Sequence, residues 1–251
     1  MSLLNNLWES RQYSSEIKFL ISTTQADEVR KWARAHLDRD LHGSGEMGDN
    51  YRITSIYFDT DKFDVYHRKG SFGRSKYRVR RYGEGDVAFL ERKLKTKHMV
   101  CKWRSAVSVD EVNRLCEERS DGRWPGFWFH RRLLARKLKP ICQISYLRTA
   151  RVFMTNYGAV RLTLDQDLKV VAPVTLGFHP TQDGLLLNED KTILEMKYDV
   201  EMPALFKILI EECKLNRQPF SKYRLAVKTL GYVKKPAKSG HKKAFQTTVY
   251  A

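Results

Sequence analysis

The chain has 251 residues, of which 42% are hydrophobic and 12% aromatic, so it can bury a sizeable core. Its formal charge of +17 indicates a polyanionic partner, which could be nucleic acid, an acidic membrane surface, or phosphates on small or polymeric substrates. No shift in composition marks an internal boundary. We therefore predict one domain over residues 1–231, followed by a basic C-terminal tail over residues 232–251.

The cysteines argue against a metal knuckle and against a disulfide framework. Cys101, Cys116, Cys142 and Cys213 lie far apart, with no Cys-x-x-Cys pair. We expect four reduced thiols and a cytoplasmic location. Residues 1–12 lack the apolar core of a signal peptide, and no run approaches the ~18 apolar residues of a membrane span. Any membrane association would then be peripheral or through a partner.

Hydrophobic periodicity predicts strands and helices in alternation along the chain. The predicted strands cover residues 14–21, 51–58, 76–82, 87–94, 99–107, 141–154, 159–164 and 192–198. Helical patterns cover residues 26–37, 109–118, 127–138, 203–213 and 221–230, with a short helical stretch near 61–66. About eight mostly antiparallel strands with helices between them indicate an α+β protein.

The strands share an unusual pattern, in which charged residues recur at every second position. The pattern includes Glu16/Lys18, Arg78/Arg80, Glu91/Lys93, Lys102/Arg104, Arg161 with Asp165, and Glu195/Lys197. Side chains two apart in a strand point to the same face, and apolar residues occupy most of the intervening positions. One face of the sheet is therefore apolar and the other is strongly cationic.

A single charged face of this kind is usually solvated, but its repetition across strands favours another arrangement. The sheet would then be curved or closed, and if it closes with this face inward and the helices packed outside, its lumen becomes a strongly cationic tunnel. Clustered charges away from bulk water are costly unless water, counter-ions or a polyanion accompany them. A phosphate chain meets that requirement, because Arg and Lys are natural partners of phosphoryl oxygens.

The acids on the same face leave two interpretations open. Glu16, Glu91, Asp165 and Glu195 could bind Mg²⁺ or Mn²⁺, or each could pair with an inward Lys or Arg. Ser221 is predicted to cap the last helix, where its hydroxyl and Lys222 would form an anion site, although Ser at this position is often only a cap.

Nine short segments, taken in order, resemble the polyphosphate polymerase domain of the vacuolar transporter chaperone family, within the triphosphate tunnel metalloenzyme superfamily. They are SEIKF at 15–19, SIYFDT at 55–60, KYRVR at 76–80, LERK at 90–93, KWR at 102–104, YLR at 146–148, VRLTLD at 160–165, LEMK at 194–197 and FSK at 220–222. The resemblance implies an eight-stranded antiparallel β tunnel, a closed barrel with a cationic lumen. Members of the polymerase type use ATP and a divalent metal, usually Mn²⁺ (or Mg²⁺), to lengthen inorganic polyphosphate.

The resemblance also implies roles for particular residues. The catalytic cations would be Lys18, Arg78, Arg80, Lys93 and Lys222. Substrate phosphates would be bound by Lys102, Arg104, Tyr146, Arg148, Arg161, Lys197 and Ser221. The metal would be held by Glu195, with Glu16 as a further candidate ligand.

One position departs from the family pattern, since Ser14 stands where the family often has Arg. The triphosphatase and adenylate cyclase branch has Glu there, so Ser14 counts against that branch. Two alternatives remain on the same fold: a metal-dependent tri- or polyphosphate hydrolase, and a non-catalytic polyphosphate-binding module. A specific nucleic-acid binder is disfavoured, because the sequence shows no recognised motif and no aromatic platform interleaved with the basic residues.

Overall fold

The structure is a computed structural model, and it describes residues 10–12, 15–40, 43, 48–73, 75–95, 100–172 and 175–233. The predicted tail over residues 232–251 and the departure at Ser14 thus fall almost entirely outside the described residues. None of the helices within those ranges has the length and apolar character needed to cross a membrane.

The described strands form an antiparallel sheet. They are β1 (Ser10–Gln12), β2 (Ser15–Ser22), β3 (Asp38–Arg39), β4 (Asn50–Asp59), β5 (Ser75–Tyr82), β6 (Val87–Lys95), β7 (Val100–Ser108), β8 (Lys139–Thr155), β9 (Gly158–Val171), β10 (Leu185–Leu186) and β11 (Lys191–Tyr198). The order across the sheet is β1-β7-β6-β5-β4-β8-β9-β11-β2, with β3 paired to β8 and β10 to β9. The eight longer strands correspond to the eight predicted segments. β9 continues past the predicted end at residue 164, and its register with β8 shifts between Ser145 and Leu147.

The sheet is not closed by hydrogen bonds between the described strands. Its path starts at β1 on one side and ends at β2 on the other, although these two strands follow each other in the chain. The α+β class and the antiparallel sheet are confirmed, whereas a closed barrel is not shown.

The helices lie close to their predicted positions. They are α1 (Thr23–His36), α2 (Asp64–His67), α3 (Phe127–Arg136), α4 (Ala204–Glu212) and α5 (Lys222–Thr229), with 3-10 turns at Gly70–Phe72 and Asp110–Cys116. Ser22 begins α1 with a reciprocal capping box to Gln25. The helical pattern over 109–118 corresponds to a 3-10 helix, which has no side-chain cap.

The apolar positions of the strands pack against these helices. In β2, Ile17 and Phe19 are buried in a cluster that includes Val29 of α1 and Phe206 of α4. In β5, Tyr77 and Val79 are buried in a second cluster that includes Phe129 of α3. Because side chains alternate along a strand, the charged residues between these positions point to the opposite face of the sheet. The helices therefore cover the apolar face, as the sequence predicts.

Asp59, at the end of β4, fixes the helices α2 and α5 to the sheet. Its buried carboxylate accepts hydrogen bonds from the backbone N–H groups of Val65 and Tyr66, each at 2.8 Å, and from the Tyr223 hydroxyl at 2.5 Å. Tyr223 is the second residue of α5, so this contact also positions the start of that helix.

We predict that Asp59→Ala lowers the free energy of unfolding by about 3 kcal/mol or more, because several buried donors lose their acceptor together. Tyr223→Phe removes only one donor and should cost about 1–2 kcal/mol. Urea denaturation followed by circular dichroism measures both. Similar small losses in the two variants would contradict the anchoring role of Asp59.

Candidate functional site

Side chains from the charged face of the sheet converge on a cavity of about 100 Å³, which we call the inner cavity. Its lining residues are Glu16, Lys18, Tyr57, Lys76, Arg78, Arg80, Lys93, Tyr146, Arg148, Glu195, Phe220, Ser221 and Lys222. Seven of these side chains are basic and two are acidic. The alternation that the sequence shows therefore produces a strongly cationic enclosed space.

Register explains why these residues meet. Lys18 of β2 lies opposite Glu195 of β11, and Arg78 of β5 lies opposite both Tyr57 of β4 and Glu91 of β6. Directly paired residues of antiparallel strands point to the same face. The charged residues of neighbouring strands are thus aligned, and they lie on the same side of the sheet.

Glu91 neutralises one group of cations on this face. Its carboxylate, 1% exposed, lies 2.6 Å from Arg78, 2.9 Å from Lys102 and 3.1 Å from Arg104. Burial acts to raise the pKa of Glu91, but the surrounding cations, including Arg80, outweigh it and hold the pKa well below its usual range. Glu91 is therefore a structural counter-ion for several arginines and lysines.

Asp165 of β9 performs the same role beside the last helix. Arg148 donates to its two oxygens at 2.6 and 2.7 Å, and Lys222 donates to one of them at 2.6 Å. Burial opposes ionisation, yet Arg148 and Lys222 lower the pKa of Asp165 to about 2.

The Ser221 hydroxyl accepts a hydrogen bond from the Arg224 backbone N–H at 3.4 Å, so it caps α5 as predicted.

A third cluster contains two carboxylates and two lysines. Lys18 contacts both Glu16, at 2.6 Å, and Glu195, while Lys93 contacts Glu16 at 2.5 Å. Burial alone would raise the pKa of Glu195. The opposite effect of Lys18, Lys222 and other cations is larger, and it holds this pKa well below its usual range. Glu16 and Glu195 are thus ionised oxygen donors on neighbouring strands.

These two carboxylates fit a hard divalent cation, because carboxylate oxygens are the preferred ligands of Mg²⁺ and Mn²⁺. Lys18 holds both of them in this structure, so a cation would compete with its ammonium group for the same oxygens. Among the described residues no group of three or more His, Cys, Asp or Glu side chains is placed to hold a metal. Any further ligands would come from water or from substrate phosphates.

Arg80 differs from its neighbours because, among the described residues, its hydrogen-bond partners are neutral. It donates to the Ser55 hydroxyl at 3.0 Å and to the Tyr146 hydroxyl at 3.1 Å. The Lys222 ammonium lies 4.7 Å from the centre of the Tyr146 ring. Tyr146 thus orients two of the cavity cations while adding no charge that would offset them.

A second cavity of about 460 Å³, the outer cavity, adjoins the first and shares Glu16, Lys18, Lys76 and Lys93 with it. Arginines absent from our sequence-based assignment also line it, namely Arg68, Arg217 and Arg224. No regular alternation marks these three, because they lie in loops or on helices. The outer cavity extends the cationic surface away from the inner cavity.

Ten of the fourteen predicted site residues line the inner cavity, and four do not. Lys102 and Arg104 form ion pairs with Glu91 but do not line the inner cavity. Arg161 contacts Asp40 at 3.0 Å and the Tyr51 hydroxyl at 2.6 Å, and Lys197 is its partner across the β9–β11 pairing. These four residues lie on the charged face of the sheet, but at positions along their strands that are outside the inner cavity. The roles of all fourteen residues stay predictions.

Lys76 is a cavity cation that our sequence-based assignment omitted, although it has the same parity as Arg78 and Arg80. It lines both cavities, and no acidic side chain among the described residues forms an ion pair with it. Burial and the charges of Lys18, Lys93 and Arg78 lower its pKa to about 7, against a smaller opposing effect of Glu16. Lys76 therefore marks the point where positive charge is least compensated.

Solved structures of other proteins are similar to this chain. A candidate adenylate cyclase from Bacillus halodurans has a TM-score of 0.53 at 15% identity, covering 86% of this chain and 96% of that chain. A candidate adenylyl cyclase from Hippeastrum, described as having a dominant triphosphatase activity, has a TM-score of 0.49 at 15% identity, covering 86% and 95%. The comparison with curated proteins gives no match. The first similarity shows a shared fold.

The fold and the site together define an α+β protein with a cationic cavity on one face of an antiparallel sheet. The family model described as the VTC domain matches residues 13–231. The chain belongs to the VTC domain family, and the match spans nearly all the described residues.

We predict that Lys76→Met raises the melting temperature more at pH 6 than at pH 9.5. The folded chain holds fewer protons on Lys76 than the unfolded chain between about pH 7 and 10.5, so the destabilising effect of this residue grows as the pH falls through that range. Below pH 7 the effect is complete. Differential scanning fluorimetry measures it, with Lys31→Met, at an exposed position of α1, as the matched control. An equal gain at both pH values would show that Lys76 is not the titrating group.

Proposed function

We propose that this domain synthesises inorganic polyphosphate by transferring the terminal phosphoryl group of ATP to a phosphate chain in the inner cavity. The observation that carries this proposal is the excess of cations over acids around the cavity, in a chain of the VTC domain family. A polyphosphate chain carries about one negative charge per phosphate. Such a ligand would replace the counter-ions that the clustered cations otherwise require.

In the proposed reaction an oxygen of the terminal phosphate of the chain attacks the γ-phosphorus of ATP. A new P–O bond forms, the bond between the γ-phosphorus and the bridging oxygen breaks, and ADP leaves. The acceptor oxygen is already anionic, so no general base is needed. Catalysis then depends on positioning and on stabilising the charge of the equatorial oxygens.

The cavity supports these tasks through cations with different amounts of spare charge. Arg148 is closely paired with Asp165, and this ion pair suits a fixed part of the cavity wall. Arg80 has only neutral partners, and Lys222 shares its acid with Arg148. We therefore assign Arg80 and Lys222 to the transferred phosphoryl group, with Lys18 and Lys93 beside them.

Glu195 and Glu16 would hold the divalent cation, Mn²⁺ or Mg²⁺, which when bound would offset phosphate charge near the reacting group. Lys18 would then be released from the two carboxylates, and its ammonium would be free for phosphate oxygens.

The proposal includes closure of the sheet into a tunnel. β1 pairs with β7 at one edge of the sheet, and the chain continues directly into β2 at the other edge. A segment that belongs to both edges supports a continuous wall around the cavity. A chain of phosphates could then extend while remaining surrounded by Lys and Arg.

We predict that Arg80→Ala and Lys222→Ala each reduce polyphosphate synthesis by about 100-fold, since each removes a charge that stabilises the transition state. Purified protein is incubated with ATP and Mn²⁺, and the products are separated on a polyacrylamide gel. Lys31→Ala removes an exposed lysine of α1 and should keep full activity. Wild-type rates in either folded variant would refute the assignment of the cavity.

The same incubation separates synthesis from hydrolysis. Phosphate polymers together with ADP support the polymerase. Free phosphate without polymers would show a hydrolase, and neither product would indicate a binding module.

We predict that Glu195→Gln weakens binding of Mn²⁺ by at least about 10-fold, because a neutral amide replaces an ionised ligand. Titration of free Mn²⁺ by electron paramagnetic resonance measures this without reference to activity. The same substitution at Glu211, on the exposed side of α4, provides the control. Unchanged Mn²⁺ affinity in Glu195→Gln would remove Glu195 from the metal site.

A further inference from the structure

A groove of about 570 Å³ lies on the helix-covered side of the sheet, along α3. Its lining residues are Trp103, Phe127, Trp128, Arg131, Arg132, Ala135 and Arg136. Apart from Trp103 of β7, all of them belong to one side of α3. The Trp128 Nε1–H donates to the Ser105 hydroxyl at 2.5 Å, which fixes the orientation of that indole. The groove thus combines three aromatic rings with three arginines, and none of the described residues that line it is acidic.

A fourth arginine, Arg92, does not line the groove but packs on Trp103, which does. The guanidinium of Arg92 lies 4.6 Å from the centre of the Trp103 ring, and its buried Nε has no hydrogen-bond partner. Arg92, Arg131, Arg132 and Arg136 form no ion pair with any acid among the described residues, although Arg136 donates to the Ser71 hydroxyl at 3.0 Å. Burial and the like charges of Arg132 and Arg136 lower the pKa of Arg92. The groove therefore carries uncompensated positive charge.

The charge and the shape of the groove restrict what it can bind. The C-terminal residues 234–251 are strongly basic, so repulsion disfavours them as an occupant. A folded protein partner usually buries about 800 Å² on each side, whereas a concave site of several hundred cubic ångströms suits a small molecule. Aromatic rings would add little to the binding of bare phosphate, but they stack with planar bases.

We propose that the groove along α3 binds a nucleoside diphosphate, with its base against the indoles of Trp103 and Trp128 and its phosphates on Arg131, Arg132 and Arg136. Arginine forks match phosphate oxygens, and the rings supply the contact that distinguishes a nucleotide from inorganic phosphate.

This site is separate from the inner cavity, although the two share a strand. In β6, Glu91 and Lys93 belong to the charged face of the sheet, whereas Arg92 between them points to α3. The groove would thus bind its ligand on the opposite side of the sheet from the cavity. The inference does not depend on the reaction proposed for the cavity.

Equilibrium dialysis of the full chain with radiolabelled ADP tests the groove. The double variant Arg131→Ala/Arg132→Ala should bind ADP at the groove about 100-fold more weakly, because it loses two charged hydrogen-bond partners. Alanine favours the helix at these positions, so the fold should survive. Lys31→Ala/Lys228→Ala, which removes two exposed lysines from other helices, is the matched control and should bind as the wild type does.

The number of sites separates this inference from the proposed function. If both hold, the wild type binds two ADP molecules, the groove variant binds one, and Arg80→Ala/Lys222→Ala also binds one. If the cavity binds no ADP, the wild type binds one molecule, which only the groove variant loses. Unchanged ADP binding in the groove variant would overturn the inference. Loss of oligouridylate binding without loss of ADP binding would overturn it in favour of single-stranded nucleic acid.

Discussion

The pairing of two buried carboxylates with surrounding cations is the interaction on which the rest of the structure depends. Glu91 and Asp165 are almost fully buried, and together they contact Arg78, Lys102, Arg104, Arg148 and Lys222. Without them, the alternation of Lys and Arg on one sheet face would place like charges side by side in a partly dehydrated space. Leaving such a charge unpaired is costly, typically by about 3–5 kcal/mol for a buried pair that loses one partner.

The compensation is incomplete, and this has a consequence for binding. Within the described ranges, Arg80 donates hydrogen bonds to hydroxyl groups, and neither Arg80 nor Lys76 forms an ion pair with an acid. Charge that the folded chain leaves uncompensated lowers its stability, and an anion that enters the cavity recovers that free energy. Ligand binding should therefore stabilise the fold, because anything that binds the native state alone shifts the folding equilibrium. The same imbalance supplies the attraction for phosphate.

The sequence predicted the strands well because their charge alternation has a period of two, which a strand converts directly into a face. Parity also placed Lys18 and Arg78 on one face, although it did not show which cations of that face line the inner cavity. The sequence placed Glu91 and Asp165 on the same face, but it did not decide whether each binds a metal or pairs with a Lys or Arg. Whether a carboxylate pairs with arginine or holds a metal depends on distances of a few ångströms between strands far apart in sequence.

Features built from helices and loops were harder to predict. The outer-cavity residues Arg217 and Arg224 follow no alternation, so nothing in the local sequence distinguishes them from solvated cations. The sequence also gave no sign of an aromatic platform beside basic residues. Trp103 lies on a strand and Trp128 on a helix, and only tertiary packing brings them together.

The sheet lies between two cationic surfaces of different chemistry, and β6 contributes to both. Lys93 belongs to the cavity face, where the lining is mainly charged. Arg92 belongs to the other face, where it packs on the rings of Tyr77 and Trp103. A guanidinium can stack on aromatic rings at little cost, whereas a lysine ammonium retains its hydration more strongly. Arg at position 92 thus follows its aromatic surroundings. Replacing Arg92 by Lys would leave the net charge unchanged but would lose the stacking of the guanidinium on these two rings.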